Sequence, residues 1–508
     1  MEIISALTNP EAYDEIVENI RLVQTHISWI FLTGNYAYKI KKPVNFGFLD
    51  FSTLEKRKLY CEKELELNRR LVQDMYLEVV PITRSDDKIK IKGEGKIIEY
   101  AVKMRELPQE TMMLKLLEIG RVDDNLIDRI AKIISNFHSK AKIIKHSDFE
   151  TVKFNWDENF DQTKPFINKT IGKNEFDFIE TRIRNFLKNN EKLFAKRESE
   201  GKIRDCHGDL HSGNIFITDK IYIFDAIEFN ERFRFGDVAN EVAFLAMDLD
   251  FHNKQDLSNY FVEKYIEYSK DKELKTLLDF YKCYRAFVRG KVISFKLHDK
   301  NISGKEKEES EKLAKKYFNL AFNYAKRFTP MLIIMTGLMG TGKSRLAKKI
   351  ARKLRAKIIR SDVVRKELGK ISPTTQKFEP HKKGIYSEEF TDRTYKEIIE
   401  RAKENLSSAS CILDATFLKR EYREQASALA KKLRLPFFII ECICPENKIK
   451  ERLEKRIKGK SVSDGRWELF YDQKKEFEPI GDDENHIVVD TSKKNDENEI
   501  LNKMFTFL

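Results

Sequence analysis

The chain has 508 residues, 41% of them hydrophobic and 35% charged, with 95 Lys and Arg against 82 Asp and Glu. That length predicts two or three domains with ordinary cores, and that charge content excludes a membrane-spanning protein. The longest apolar run, LPFFIIECIC, is about half of the ~18 residues a spanning helix needs and predicts a buried strand instead.

The opening stretch, MEIISALTNPEAYDEIVENI, is acidic and lacks a basic segment followed by an apolar one. No signal peptide and a cytoplasmic location are therefore expected. The cysteines are Cys61, Cys206, Cys283, Cys411, Cys442 and Cys444, and only the last two are close. Without a CxxC pair or a histidine cluster, buried reduced thiols are expected rather than a zinc site or disulfides. The net charge of +13 is uneven: residues 331–508 hold 38 basic and 28 acidic side chains, leaving only +3 for the rest. A basic C-terminal third suits nucleic acid, but ATP and phosphorylated substrates, which also want a positive field, are the preferred reading.

In chain order, Asn9-Pro10 predicts a helix start, with Asn as N-cap and Pro at the first turn. ISWIFLTGNYAYKIKKPV predicts two strands around a Gly34-Asn35 turn. STLEKRKLYCEKELELNRRL predicts a helix capped by Ser52, and LEVVPITRSDDKIKIKGEGKIIEYAVKMREL predicts further strands. From about Glu110 the pattern is mostly helical, and His138 falls inside RIAKIISNFHSKA as a core or structural histidine. A last helix, about Lys305 to Phe328, is expected to put Leu313, Tyr317, Leu320 and Tyr324 on one face. Thr329-Pro330 breaks it, and MLIIM begins a buried strand. Two domains are expected, 1–328 (lobes about 1–105 and 106–328) and 329–508.

The segment HGDLHSGNIFITDKIYIFD interrupts the helices. Moving a γ-phosphoryl group requires a carboxylate for the acceptor hydroxyl, oxygen ligands for magnesium and a lysine against the phosphates. Here Asp209 is followed five residues later by Asn214, the spacing of a kinase catalytic loop, and a strand then delivers Asp225. Asp209 is the candidate base, with Asn214 and Asp225 as candidate metal ligands. Upstream, AYKIKKPV puts Lys39 and Lys41 on one strand face. Lys39 is preferred for ATP, paired with Glu64 in preference to Glu62 on the next helix. Asp237 is expected to brace the loop, and Arg285, Arg289 and Lys291 either bind an anionic substrate or form an ordinary basic helix face.

Residues from about 25 to 328 resemble the aminoglycoside phosphotransferase-like kinases, whose loop reads H-G-D-x-x-x-x-N, with glycine at the position of Gly208. The resemblance implies a sheet-rich lobe, a larger helical lobe, ATP between them and a small-molecule acceptor. The sequence departs from protein kinases in reading DAI after the strand and in lacking a G-x-G-x-x-G loop; LTGNYAY takes that place.

MLIIMTGLMGTGKSRLAKKIA is a strand, a G-x-x-x-x-G-K-S loop and a helix, the context a Walker A loop requires. Gly337, Gly340, Thr341 and Gly342 offer backbone N–H groups to phosphate, Lys343 reaches the β/γ-phosphates and Ser344 binds magnesium. KIIRSDVVRKEL delivers Asp362 with Arg365 three residues on, SCILDATF ends a strand at Asp414, and ERLEKRIKGK places Arg452 and Arg456 on one helix face. This set resembles small P-loop kinases: gluconate-kinase-like enzymes, polynucleotide kinases, zeta-type toxins and chloramphenicol phosphotransferase. The resemblance implies Asp362 as base, Arg365 on the acceptor, Arg452 and Arg456 as lid arginines, and Asp414 either as a metal ligand or facing the acceptor.

The whole chain resembles bifunctional fusions of these two domains. The expected fold is an α+β two-lobed kinase-like domain followed by an α/β P-loop NTPase domain with a mainly parallel sheet. The expected activity is ATP- and Mg2+-dependent phosphorylation of small-molecule hydroxyls at two sites. The alternatives are a polynucleotide 5'-hydroxyl kinase in the C-terminal domain and an ATP-loaded switch.

Overall fold

A computed structural model describes residues 2–506 except 18, 87, 146–147, 300–301, 328–329, 373–374, 376–378, 380–381, 407–408, 434, 458–462, 485 and 494–496. It divides into two units, Met1–Phe322 and Asn323–Leu508.

The first unit begins with α1 (Glu2–Leu7) and an antiparallel sheet. Its strands are β1 (Arg21–Gln24), β2 (Ser28–Leu32), β3 (Tyr36–Lys41), β4 (Tyr76–Ser85), β5 (Lys88–Ile91) and β6 (Lys96–Arg105), in the spatial order β1-β2-β3-β6-β4-β5. β3 is central, and strand alternation divides its side chains between two layers. Tyr38 and Ile40 enter a cluster with Leu7, Phe31 and Val80, while Ala37 packs with Cys61 of α2 (Leu54–Arg69) on the other face. Lys39 and Lys41 share that second face by parity. The buried stripe of α2 is Arg57, Cys61, Glu64, Leu67 and Asn68. Its spacing is helical but its chemistry is mostly polar, so α2 is held by charge pairing as well as by apolar contact: Arg57 Nε meets both Glu99 oxygens at 2.9 and 2.8 Å.

The helical lobe contains α3 (Met113–Glu118), α4 (Asp124–Lys140), α5 (Asp148–Thr163), α6 (Lys173–Ser199), α7 (Glu231–Arg234), α8 (Val238–Phe251), α9 (Gln255–Ser269), α10 (Leu274–Phe295) and α11 (Gly304–Ala325). Between α6 and α8 run four three-residue strands: β7 (Ile203–Asp205), the hairpin β8 (Ile215–Ile217) and β9 (Ile221–Ile223), and β10 (Phe235–Asp237), which pairs with β7. Sheet lobe, helical lobe and inserted hairpin together make the two-lobed kinase-like fold.

The second unit is a parallel sheet. Its strands β11 (Leu332–Thr336), β12 (Lys357–Arg360), β13 (Cys411–Asp414), β14 (Phe437–Ile443) and β15 (His486–Asp490) lie in the order β12-β13-β11-β14-β15. All five residues of β11 are buried, as the central strand of a parallel sheet demands. The helices are α12 (Lys343–Leu354), α13 (Ser361–Leu368), α14 (Glu388–Asn405), α15 (Arg420–Leu433), α16 (Glu446–Ile457), α17 (Phe470–Glu476) and α18 (Glu497–Thr506). This is the α/β P-loop arrangement. Among the described residues no helix is long and apolar enough to cross a membrane.

Local expectations shift in three places. Thr53, not Ser52, caps α2: its Oγ1 accepts from Lys56 N at 3.3 Å, while Asp50 takes the Ser52 hydroxyl at 2.6 Å. Asn9-Pro10 opens a single 3-10 turn of three residues, not a longer helix. The buried face of α11 carries Ala314, Phe318 and Ala321 beside the expected Tyr317 and Tyr324, whereas Leu313 is exposed and Leu320 half-buried. The Thr329 break lies outside the described residues.

Candidate active sites

In the first unit, β7 delivers the loop Cys206–Asn214 and the β8–β9 hairpin returns the chain to Asp225. The hairpin makes the three candidate groups neighbours in one network. Asn214 Nδ2 donates to Asp209 O and to Asp209 Oδ2, each at 3.0 Å, and Asn214 O accepts from Phe224 N at 3.1 Å. From the other lobe, Lys39 Nζ reaches Glu64 Oε1 at 2.7 Å and Asp225 Oδ1 at 2.5 Å. Glu64 is the buried helix partner, while Glu62 is exposed and lies 3.8 Å from Lys58. Lys41 makes an equal bond, to Glu64 Oε2 at 2.7 Å, so both lysines hold the same carboxylate.

Electrostatics set the charge of each group. Burial works to raise the Asp209 pKa, but His211, 3.5 Å away, and Arg289 outweigh it and hold the carboxyl well below the usual range. It is therefore a carboxylate at neutral pH. His207 is fully buried; burial pushes its pKa down to about 4. As a neutral ring it donates from Nε2 to Phe224 O at 2.9 Å and accepts at Nδ1 from Asp209 N at 3.3 Å. His207 thus ties the two ends of the network together. Gly208 must be glycine: its φ is +90°, and a Cβ would lie 3.0 Å from Phe233 O.

Helix α8 supports the loop from beneath. Glu241 accepts from His207 N at 3.2 Å and Gly208 N at 3.0 Å, and Asp248, two turns on, accepts from Ser212 N at 2.9 Å. Sequence reasoning missed both, although their seven-residue spacing puts them on one helix face. It assigned the bracing to Asp237, which instead caps α8 through Ala239 N at 2.8 Å and pairs with buried Arg197. Arg285 also belongs to the brace: Nη1 donates to Gly208 O at 3.0 Å and Nε to Asn240 Oδ1 at 2.8 Å. Arg285 and Lys291 are buried and Arg289 is half-buried, so they are not an exposed basic face. Lys291 bonds Gln162 Oε1 at 2.6 Å.

His138 is buried, with Nδ1 2.8 Å from Tyr265 OH, and burial pushes its pKa down to about 3. The unfolded histidine titrates near 6.5, so below that pH the unfolded chain gains a proton that the folded chain refuses. Stability from this group is full above pH 6.5 and is lost as pH falls, at about 1.4 kcal/mol per unit. The carboxyls of Asp148 and Glu241, raised by burial, act in the opposite sense. The expected reading is therefore a difference: between pH 6.5 and 4.5 the stability of His138→Gln rises relative to wild type by about 2.3 kcal/mol. Urea unfolding at the two pH values checks it, and a constant difference would contradict the assignment.

In the second unit the phosphate loop joins β11 to α12. Gly337 has φ +122°, and a Cβ there would meet Cys442 O at 2.4 Å. Lys343 Nζ donates to Gly337 O and Leu338 O, both at 2.8 Å. The loop opens on a cavity of about 490 Å³. Gly340, Gly342, Lys343 and Ser344 line one part of it, and Asp362, Arg365 and Asp414 line another; Thr341 is buried behind. Asp414 ends β13, directly beside Met335 of β11, and accepts from Arg360 Nε at 3.1 Å. Arg365 is buried, donating to Ile385 O at 2.6 Å and Thr391 Oγ1 at 3.0 Å.

Arg452 departs from the lid role expected of it. Its guanidinium donates to Gly340 O at 3.3 Å, Thr491 Oγ1 at 3.0 Å and Thr491 O at 2.9 Å, so it buttresses the phosphate loop from α16. The Arg456 side chain lies outside the described residues. Among the described residues, the arginines that line the cavity are Arg345, Arg360, Arg365 and Arg466. Gln473, which sequence reasoning passed over, accepts from Met339 N of the loop at 2.6 Å.

Both sites offer hard oxygen donors of the kind magnesium takes. In the first, Asn214 turns its Nδ2 toward Asp209, leaving Oδ1 on the side away from that bond, and the Asp225 side chain keeps 38% of its surface exposed. In the second, the Ser344 hydroxyl and Asp414 carboxylate border the same cavity.

Residues 332–480 match the AAA domain family. An uncharacterized protein of Mycobacterium tuberculosis (strain ATCC 25618 / H37Rv) is 31% identical over 444 residues, covering 86% of each chain. Its Mycobacterium bovis counterpart matches equally. Among solved structures, a choline/ethanolamine kinase family protein from Mesorhizobium loti is 12% identical, covering 64% of this chain and 99% of that one, with a TM-score of 0.40. A gluconokinase from Sinorhizobium meliloti 1021 is 19% identical, covering 35% and 91%, with a TM-score of 0.25. At 31% identity over 86% of each chain, this chain belongs to the same family as the two mycobacterial proteins.

Proposed function

We propose that the protein is an ATP- and Mg2+-dependent phosphotransferase with two nucleotide sites, each phosphorylating a hydroxyl of a small-molecule acceptor. The observation that carries this reading is the meeting of Asp209, Asn214, Asp225 and the Lys39–Glu64 pair from four separate stretches of chain. In the first unit Asp209, ionised, accepts the acceptor's proton, and Lys39 offsets phosphate charge while Glu64 holds it in place. Asn214 and Asp225 would hold Mg2+, which when bound bridges phosphate oxygens and spreads their charge.

In the second unit Asp362 is the base and Arg365 positions the acceptor. Gly337, Gly340, Thr341, Gly342 and Lys343 cradle the phosphates, and Ser344 and Asp414 would hold Mg2+. Arg452 acts indirectly, by fixing the carbonyl of Gly340. Two observations favour a small acceptor over a nucleic-acid end at this site. The cavity is about 490 Å³, and several of its cations are already paired: Arg360 with Asp414, and Lys382 with Glu388 and Glu476.

The test is transfer of labelled phosphate from ATP to a panel of metabolites and 5'-hydroxyl oligonucleotides, run with wild type, Asp209→Asn and Lys343→Ala. Acceptors lost with one variant and kept with the other assign each site. Transfer to oligonucleotides alone would replace the small-molecule reading, and turnover untouched by both substitutions would end it.

A further inference from the structure

The lysine–glutamate pair of the first unit does not end at Glu64. Lys39 occupies Glu64 Oε1 and Lys41 occupies Oε2, each at 2.7 Å, and Lys41 continues to Glu228. Asp225, Lys39, Glu64, Lys41 and Glu228 therefore form one ladder of alternating charge. Lys39, Lys41, Glu64 and Glu228 are all buried. Both ends of the ladder lie in one segment, three residues apart.

That segment has a conformational problem to solve. Asp225 sits at φ +67°, the left-handed region that non-glycine residues seldom adopt. Its carboxylate meets the buried Lys39 ammonium and still keeps 38% of its side-chain surface exposed. A strained residue with an exposed side chain persists only where flanking contacts over-determine it. The flanks supply them: Ala226 N donates to Asn68 Oδ1 at 2.9 Å, Ile227 N donates to His207 O at 3.0 Å, and Glu228 is gripped by Lys41. The Lys41–Glu228 pair is the only charged link among the three, so it carries the strongest restraint.

We propose that Lys41 and Glu228 are positioning residues that hold Asp225 in its metal-binding orientation. Lys41 has a second effect. By taking one Glu64 oxygen, it confines Lys39 to the other, which keeps the Lys39 ammonium on the side facing Asp225. This inference rests on the phosphotransferase reading of the first unit.

The test uses the full chain carrying Lys343→Ala, Ser344→Ala and Asp414→Asn, which removes the second unit's phosphate lysine and both of its candidate metal ligands, so that the first unit's site is read alone. The probe is Mn2+ in the presence of ADP, with free Mn2+ followed by electron paramagnetic resonance. Glu228→Gln is expected to weaken Mn2+ binding about tenfold, within the range for members of one ion-pair network. ADP affinity measured without metal stays within about twofold, because Lys39 keeps Glu64. Lys41→Met combined with Glu228→Gln is expected to be no weaker than Glu228→Gln alone, since both act through one link.

A folded Glu228→Gln protein with parental Mn2+ affinity would overturn the inference. The double variant leaves neither charge buried alone, so it covers the case in which the single variant does not fold. Failure of both to fold would assign the pair to stability and overturn it as well. A parent that binds ADP but no Mn2+ at this site would instead sink the underlying reading of Asp225 as a metal ligand.

Discussion

Asp209→Asn lowers phosphate transfer at the first site about a thousandfold while leaving nucleotide binding intact, the size expected when a general base is removed. Asparagine matches aspartate in shape, and its Oδ1 still accepts from Asn214 Nδ2, a bond now 3.0 Å long. The loop keeps its other supports, because Glu241 holds the amides of His207 and Gly208 and Arg285 holds the Gly208 carbonyl. What is lost is the negative charge, and that charge is secure in the wild type because His211 and Arg289 hold the carboxyl ionised against the effect of burial. The measurement is transfer in the Lys343→Ala background, beside ADP affinity. A loss below about tenfold would show that Asp209 is not the base. Parallel loss of ADP affinity would show that the substitution had broken the site rather than its chemistry.

The parts of these sites that were legible in the sequence are the parts built from consecutive residues. The Walker loop, the Asp209–Asn214 spacing and the strand-borne Asp225 and Asp414 are each set by local geometry, so a short motif carries them. The supports were not legible, because they cross the fold. Glu241 and Asp248 look like ordinary charges on α8 until that helix lies under the loop. Arg452 has the helical position of a lid residue, yet its hydrogen-bond partners are carbonyls of Gly340 and Thr491, more than a hundred and nearly forty residues away in opposite directions.

The preference for Lys39 over Lys41 could not be secured from the strand alone for a different reason. A carboxylate has two oxygens, and Glu64 gives one to each lysine. What separates them is the far partner, Asp225 for Lys39 and Glu228 for Lys41, which only the folded chain reveals. The same limit governs the cap of α2. Ser52 and Thr53 are adjacent and equally able to cap, and Asp50 decides between them by engaging Ser52. In α11 the aromatic residues Tyr317 and Tyr324 mark the buried stripe in the sequence, but Ala314 and Phe318 stand among lysines, and the more conspicuous Leu313 lies outside it.

Lys343→Met is expected to lower nucleotide turnover at the second site by about a hundred- to a thousandfold, the cost of deleting one preorganised charge at a developing oxyanion. Methionine preserves most of the stem, so the packing of α12 is retained while the ammonium is removed. That ammonium now bonds the carbonyls of Gly337 and Leu338, at the mouth of the cavity shared with Ser344, Asp362 and Asp414. The loop itself is held by other means. Arg452 grips Gly340 O, Gln473 accepts from Met339 N, and the backbone at Gly337 fits against Cys442 because no Cβ intervenes. Turnover should therefore fall with little change in melting temperature, whereas Gly337→Ala, which forces a carbon to within 2.4 Å of Cys442 O, should lower both. Measuring ATP turnover and thermal unfolding on the two variants separates charge from shape. Equal losses of stability would mean that Lys343 is chiefly a structural tie between the loop carbonyls. In the Asp209→Asn background, Lys343→Met should remove the remaining turnover, and any activity that survives there would have to come from residues outside both constellations.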